Sequence, residues 1–394
     1  TGSAPPSGWT GGGIPDGNED TIMEQRPSGE FVIHEEAVER YFASSERDEL
    51  ELHFGETEHI TVYMPVTVLS AENSQRTFVL NGDQARLTIP AQALPILEGG
   101  QLRIEVELLT EEDAIAAYGD LLNTGGYRHA GKIVRISFAH VTDGGEAPIT
   151  RLEDWIDAGI VFSDAETASF ETSLAGVYHV NGGQIEYMGG RWIDGQLVFR
   201  TNHLSDFAVL EYDKAFTDMT GHWSRDEVRQ LAAKHIVQGV SDRRFAPDRA
   251  ATRAEFTTIL MRAYAWKYGK QMPHQDAPFT DIDPGAYYAE HVSLAHELGI
   301  VTGYRGRFRP NDPMTREEAY VVLMRLHRLT EDAASPTTPQ APFADWPDVS
   351  VWARDAVNAA WDAGFTKGSG GKFYPQRAVT RAEMAAMMLR WVND

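Results

Sequence analysis

TRAE at Thr252–Glu255 returns as TREE at Thr315–Glu318 and again as TRAE at Thr380–Glu383. Spacings of 63 and 65 residues are those of a repeated supersecondary unit. Each motif closes a longer pattern. Copy one runs from Phe216 (FTDMTGHW) through Val228, Gly239, Phe245 and Pro247 to Thr252. Copy two runs from Phe279 (FTDIDPGAY) through Val292, Gly303, Phe308 and Pro310 to Thr315. Copy three runs from Phe343 (FADWPDVSVW) through Val357, Gly368, Phe373 and Pro375 to Thr380. The loop Phe precedes the motif Thr by seven residues every time.

Helical periodicity follows each motif. Apolar residues fall at Phe256, Ile259, Leu260 and Ala263, at Ala319, Val322, Leu323 and Leu326, and at Met384, Met387, Met388 and Trp391. These stripes read as packed core, the Met pairs included. An earlier stripe (Val228, Leu231, Ala232; Val357, Ala360, Trp361) predicts a first helix. Each copy is then helix, Gly-containing loop, helix. A unit that small does not bury its own apolar face, which accounts for three in series.

The motif divides by residue. Thr-x-x-Glu ahead of an apolar run is a capping box, so Thr252, Thr315 and Thr380 with Glu255, Glu318 and Glu383 read structurally. The arginines do not. Arg253, Arg316 and Arg381 take the first helical position, where a cation opposes the helix dipole at a cost of roughly 0.3–1 kcal/mol. The same violation three times points to a site, against the plainer reading of a solvated side chain lying over a neighbour. Arg244, Arg307 and Lys372 recur just before the loop Phe. Two cations at a helix N-terminus suggest a pocket for a carboxylate or phosphate. Asp218, Asp281 and Asp345 recur early in each copy, as contacts or as turn caps. Trp223, Tyr287 and Trp352 also recur, as stacking faces for sugar rings or as core.

With these residues in view, Ala215–Asp394 resembles three S-layer homology (SLH) domains: FTD, an aromatic-led helix, a Gly loop, F-x-P and TRAE. The resemblance implies an all-α pseudo-threefold arrangement of three repeats with grooves between neighbours. It also implies non-covalent anchoring to a pyruvylated secondary cell-wall polysaccharide on the surface of a Gram-positive bacterium. The pyruvate ketal carries a carboxylate, in keeping with the anion pocket. Other surface-layer subunits are further expected partners. Copy one departs by an extra loop residue and the lack of a second loop Gly. Copy two departs at Glu317, which adds negative charge beside its Arg, and at Tyr287. The grooves of copies two and one are therefore the most doubtful binders.

Residues before the repeats read differently. HITVYMPV, QLRIEVELL, KIVRISFAHV and QLVFRT alternate as strands do, between Gly, Asn and Asp turns. EEAVERYFAS, PAQALPILEGG and TEEDAIAAYGD read as helical interruptions. The segment from Val177 to Tyr212 resembles the closing strands of β-sandwich modules that accompany SLH domains, and implies a spacer or scaffold. The expected organisation is a Gly/Pro/Ser-rich linker over 1–30, an α+β or β-rich module over 31–127 and a β-sandwich-like module over 128–213. Repeats follow over 214–272, 277–330 and 342–394, with a linker over 331–341.

Composition sets the outer bounds. The 394 residues carry a net charge of −23, which disfavours nucleic acid as a partner. The absence of Cys removes disulfides and thiolate chemistry, and no apolar run approaches a bilayer span. The opening TGSAPPSGWTGGGIPDG has linker composition and suggests a longer parent protein. A glycosidase pair among Glu111, Glu112, Asp113, Asp154, Asp157, Asp164 and Glu166 is conceivable. Carboxylates in an acidic chain are, however, mostly solvated surface. His291 and His296, five apart, share a helix face poorly, and no phosphate loop or GxSxG occurs. The expectation is a binding module without cofactor, metal or catalysis. A wall-degrading enzyme and a self-assembling surface-layer subunit are the rivals, and an enzyme's catalytic domain could lie upstream.

Overall fold

A computed structural model describes residues 22–44, 48–55, 57–69, 74–122, 125–181, 184–269, 278–330 and 340–394. The chain divides into two compact units, Thr1–Tyr212 and Asp213–Asp394.

The first unit is β-rich. It begins β1 (Met23–Gln25), β2 (Phe31–Ile33), α1 (Glu35–Ser44), β3 (Glu49–His53), β4 (His59–Pro65), β5 (Thr77–Asn81) and β6 (Ala85–Pro90). Next come β7 (Gln101–Leu108), α2 (Glu111–Leu122), β8 (Tyr127–Thr142), β9 (Gly145–Ile149), β10 (Arg151–Val161) and α3 (Asp164–Thr167). It closes with β11 (Ala175–Asn181), β12 (Gln184–Gly189), β13 (Arg191–Ile193), β14 (Gln196–His203) and β15 (Asp206–Tyr212). Alternation decides the faces. In β7, Leu102, Ile104 and Val106 are buried between half-buried Arg103 and Glu105.

Two sheets result. One has nine strands, ordered β1-β2-β4-β7-β8-β15-β11-β12 with β9 beside β8; the other has six, ordered β13-β14-β10-β6-β5-β3. Both feed one core, which takes Ile104, Phe138 and Val209 from the first sheet and Leu87, Ile156 and Phe199 from the second.

Three expectations change here. The boundary at 127/128 is not a module boundary, because β8 pairs with β7 and β10 pairs with β6 across it. Strand pairing makes one unit where two were expected. The linker expected over 1–30 ends in strand, since β1 pairs with β2; its residues 1–21 lie outside the described residues. PAQALPILEGG forms one 3-10 turn at Ala91–Ala93 rather than a helix, with Pro95 two residues further on.

The second unit is helical: α4 (Arg225–Ala233) and α5 (Arg253–Tyr268) in copy one, α6 (Ala289–Glu297) and α7 (Arg316–Thr330) in copy two, α8 (Arg354–Asp362) and α9 (Arg381–Val392) in copy three. The second-helix stripes predicted from sequence are buried throughout. Each second helix packs on the next copy's first helix: α5 on α6, α7 on α8, and α9 back on α4. Backbone hydrogen bonds close the same cycle. Ala251 N donates to Val379 O (2.9 Å), Val379 N to Met314 O (2.9 Å), and Met314 N to Ala251 O (3.0 Å). The loop glycines fit beneath the copy's first Phe. A Cβ on Gly303 would stand 2.5 Å from the Phe279 ring, and one on Gly368 2.7 Å from that of Phe343. The linker expected over 331–341 lies outside the described residues up to 339; Ala341 is buried and belongs to copy three, its N–H donating to Asn358 Oδ1 (2.8 Å).

Candidate functional site

The capping boxes form as expected. Thr252 Oγ1 accepts from Glu255 N (3.3 Å) while Glu255 Oε2 accepts from Thr252 N (3.0 Å). Thr380 and Glu383 repeat this at 3.2 and 3.0 Å, and Thr315 and Glu318 at 3.4 and 3.0 Å. The next copy's loop satisfies the remaining N-terminal amides. Arg253 N and Ala254 N donate to Asp312 O and Pro310 O, Arg316 N and Glu317 N to Arg377 O and Pro375 O, and Arg381 N and Ala382 N to Arg249 O and Pro247 O. The helix N-termini therefore hold peptide carbonyls where the sequence suggested room for an anion.

The motif arginines are explained by the same neighbour. Arg253 Nε donates to Phe308 O (3.0 Å), Arg316 Nε to Phe373 O (2.8 Å) and Arg381 Nε to Phe245 O (2.8 Å). Each guanidinium lies over that Phe ring at 5.1, 5.3 and 4.5 Å. Each also reaches a motif glutamate: Arg381 pairs with Glu255 at 3.0 Å, Arg316 with Glu383 at 3.3 Å, and Arg253 with Glu318 at 3.6 Å. Arg381 further donates from Nη2 to Gln238 O (2.7 Å). Side-chain exposure falls from 19% for Arg253 to 10% for Arg316 and 4% for Arg381.

The early aspartates clamp the loop. Asp218 accepts from the backbone N–H groups of Phe245 (2.9 Å) and Ala246 (2.8 Å). Asp281 does the same for Phe308 and Arg309, and Asp345 for Phe373 and Tyr374. The second residue of each pair has φ 59° in the left-handed region: Ala246, Arg309, Tyr374. A bidentate carboxylate holds the chain in that conformation. Burial alone would raise Asp218 and Asp281, but the donated amides outweigh it and both sit below the usual carboxylate range.

Arg244, Arg307 and Lys372 are exposed at the loop tips, where a bridge to Ser241, Tyr304 and Ser369 closes each turn. Trp223, Tyr287 and Trp352 are also exposed, at about 60% each, which removes the core reading for these aromatics. Tyr287 feels Glu255, Arg381 and Arg249 electrostatically. The pair Glu255 and Arg381 joins copy one to copy three, and Tyr287 of copy two lies within their electrostatic reach.

Sequence reasoning missed Arg249 and Arg377. Each stands three residues before its Thr and pairs with the motif glutamate of its own copy, Glu255 and Glu383. Their recurrence in RAAT and RAVT was a usable signal; copy two has Asp312 there. Burial pushes Glu255 up, but the Thr252 amide, Arg249 and Arg381 prevail and lower it. Glu383 is lowered likewise, with Arg377, the Thr380 amide and Arg316 outweighing its burial.

Glu317 is another difference. It is buried, accepting from Ser350 N (3.0 Å), Ser350 Oγ (2.8 Å) and Gln376 Nε2 (2.7 Å). Copy two uses it to tie itself to copy three. In the β-rich unit, several candidate acids are likewise engaged locally. Glu166 caps α3 and meets Lys132 at 3.0 Å, Asp157 meets Arg200 at 3.1 Å, and Asp113 accepts from Thr110 Oγ1 at 2.7 Å. Among the described residues no group of three or more His, Asp or Glu is arranged for a metal, and no helix is long and apolar enough to cross a membrane.

Comparison with known proteins agrees with the repeats. The S-layer homology domain family matches residues 215–257, 278–319 and 342–385. An amylopullulanase of Thermoanaerobacterium thermosulfurigenes is 34% identical over 215 residues, covering 54% of this chain and 11% of that protein. The exoglucanase XynX of Acetivibrio thermocellus is 32% identical over 181 residues, 46% of this chain and 16% of the enzyme. The S-layer protein sap of Bacillus anthracis is 26% identical over 183 residues, 46% and 22% of the two chains. The chain spans less than a quarter of the length of each of these relatives. It carries three S-layer homology domains at its C-terminal end.

Proposed function

We propose that this chain, with its three S-layer homology domains, anchors a bacterial surface protein non-covalently to an anionic, pyruvylated secondary cell-wall polysaccharide. The helices are read as a pseudo-threefold ring, supported by the cycle Arg253 to Phe308, Arg316 to Phe373, Arg381 to Phe245. The β-rich unit serves as spacer or scaffold, and the site of action is the Gram-positive cell surface.

The groove beside Tyr287 carries this reading. An exposed aromatic ring lies in the field of a lowered carboxylate and two arginines, one buried and one 43% exposed. Aromatic faces take sugar rings, and accessible guanidinium groups take carboxylates. The buried arginines hold the copies together, so the exposed cations offered to a ligand are Arg249 and Arg377 beside the motif glutamates and Arg244, Arg307 and Lys372 at the loop tips. Tyr287→Ala, Trp223→Ala and Trp352→Ala, singly and combined, test it by binding to purified wall polymer. Wild-type affinity in the triple variant, with the fold intact, would remove the grooves as the binding surface.

A second reading has a specific support. Relatives named as an amylopullulanase and an exoglucanase share this region, so the cargo anchored here is a polysaccharide-degrading enzyme in one version and a surface-layer subunit in the other. Neither version assigns catalysis to the residues of this chain. Release of reducing sugar from wall polymer by the purified chain would contradict both.

A further inference from the structure

The residue three before each motif threonine holds the same place in all three junctions. Its backbone carbonyl accepts from the amide of a motif arginine in another copy: Arg249 O from Arg381 N, Asp312 O from Arg253 N and Arg377 O from Arg316 N, each at 2.9 Å. The backbone fixes the position, and only the side chain varies. In copies one and three it is an exposed arginine turned onto the motif glutamate of its own copy, Arg249 on Glu255 and Arg377 on Glu383. In copy two it is an exposed aspartate.

The charge balance follows. Glu255 meets Arg249 and Arg381, and Glu383 meets Arg377 and Arg316, so each set has two cations against one carboxylate. Among the described residues Glu318 has Arg253 as its one cationic partner, at 3.6 Å. With Asp312 that set has one cation against two carboxylates. Arg309 stands 4.0 Å from Asp312, and counting it brings the set only to neutrality. Its guanidinium also lies over the exposed ring of Tyr304, 5.5 Å from the centroid. The aromatic side of this junction is nonetheless in place. The turn Val351–Ala353, which carries Trp352, packs on α7, and Ser350 bonds Glu317 beside Glu318. Copy one, by contrast, keeps the Arg249–Glu255 pair despite its longer loop.

An exposed guanidinium offers a carboxylate two parallel donors, whereas an aspartate in its place offers acceptors and a like charge. We infer that Asp312 is a specificity-determining residue that closes the Glu318 junction to anionic groups. The chain then takes two pyruvylated sugar units, at the Glu255 and Glu383 junctions, and not three. This rests on the anchoring role proposed above and adds to it a count and the residue that sets the count.

The test is a saturation titration of the full chain at pH 7 with a wall-polymer oligosaccharide carrying one pyruvate ketal, read by calorimetry as equivalents bound per chain. Wild type should bind two. Asp312→Arg supplies the missing guanidinium beside Glu318 and should bind three, the third within about tenfold of the others. Asp312 is exposed and the substitution retains its backbone carbonyl, so this variant should melt as wild type does. The reverse exchange, Arg377→Asp, should bind one. Arg377→Gln removes the fork without adding a carboxylate; it should weaken one of the two equivalents at least about tenfold and covers a poorly folded Asp variant. Absence of saturable binding by wild type would overturn the anchoring reading and this inference with it. Binding by wild type at a count other than two, a folded Asp312→Arg variant that still binds two, or folded Arg377 variants that bind two at wild-type affinity would overturn this inference alone.

Discussion

Arg381 donates from Nε to the backbone carbonyl of Phe245, 136 residues earlier in the chain, at 2.8 Å. This contact joins the last repeat to the first. The same guanidinium holds Glu255 and Gln238 O while remaining almost wholly buried. An arginine that looked misplaced against its helix dipole is instead a fastener between copies.

Substitution should reveal that role. Arg381→Ala takes a donor from the carbonyls of Phe245 and Gln238 and one of the two arginines from Glu255, which keeps Arg249 and the Thr252 amide, and should destabilise the helical unit by about 2–3 kcal/mol. Arg253→Ala removes a more exposed side chain with one close hydrogen bond, and should cost about 1–2 kcal/mol. Denaturant melts of the two variants settle the order. A neutral Arg381→Ala would mean that the ring of contacts contributes little to stability.

The loop clamp makes a second prediction. Asp345→Asn turns one of two acceptor oxygens into a donor facing the amides of Phe373 and Tyr374. Because Asp345 is buried, the loss should be about 1–3 kcal/mol. Hydrogen exchange at those two amides should accelerate first. Unchanged protection there would argue against the clamp.

Copy one offers a stabilising change. His235 adopts the left-handed conformation that Gly299 and Gly364 adopt in its siblings. His235→Gly should relieve backbone strain and the burial of an imidazole, raising stability by about 1 kcal/mol. A thermal melt showing destabilisation would indicate that the histidine side chain contributes more than its backbone costs.

Acid should weaken the helical unit in two stages. Burial, with Arg262 nearby, lowers His235 and His291 from 6.5 to about 4. The unfolded chain therefore takes up protons that the folded chain refuses, and stability falls as pH drops from about 6.5 to about 4. Glu255 and Glu383 are lowered from 4.5, so their contribution is present above that value and is lost as pH falls through their folded values. The double variant His235→Gly, His291→Ala should flatten the first stage and leave the second. Melting temperatures across pH 7 to 3 separate the stages; an unaltered profile in the double variant would contradict the assignment.

What the sequence disclosed was local. Capping boxes and apolar stripes rest on contacts within a turn or two, so Thr380, Glu383 and Met384 could be read without a fold. The partner of Arg381 could not, because it depends on which carbonyl another copy brings over. The anion pocket was inferred from helix amides assumed free, and Arg249 O and Pro247 O occupy two of them. Glu317 was misplaced for the same reason, since Ser350 and Gln376 reach it from the next copy. In the β-rich unit the strands were legible by alternation, but their pairing was not. Nothing local to β8 says that it joins β7 on one side and β15 on the other.

The central claim concerns an anionic ligand held in grooves between copies, and one equilibrium experiment addresses it most directly. Binding isotherms of the whole chain are measured on purified wall polysaccharide, native and after chemical removal of its pyruvate groups. Tight binding to the native polymer, lost by at least about tenfold on depyruvylation, is the predicted result. Equal affinity for both polymers would contradict the account.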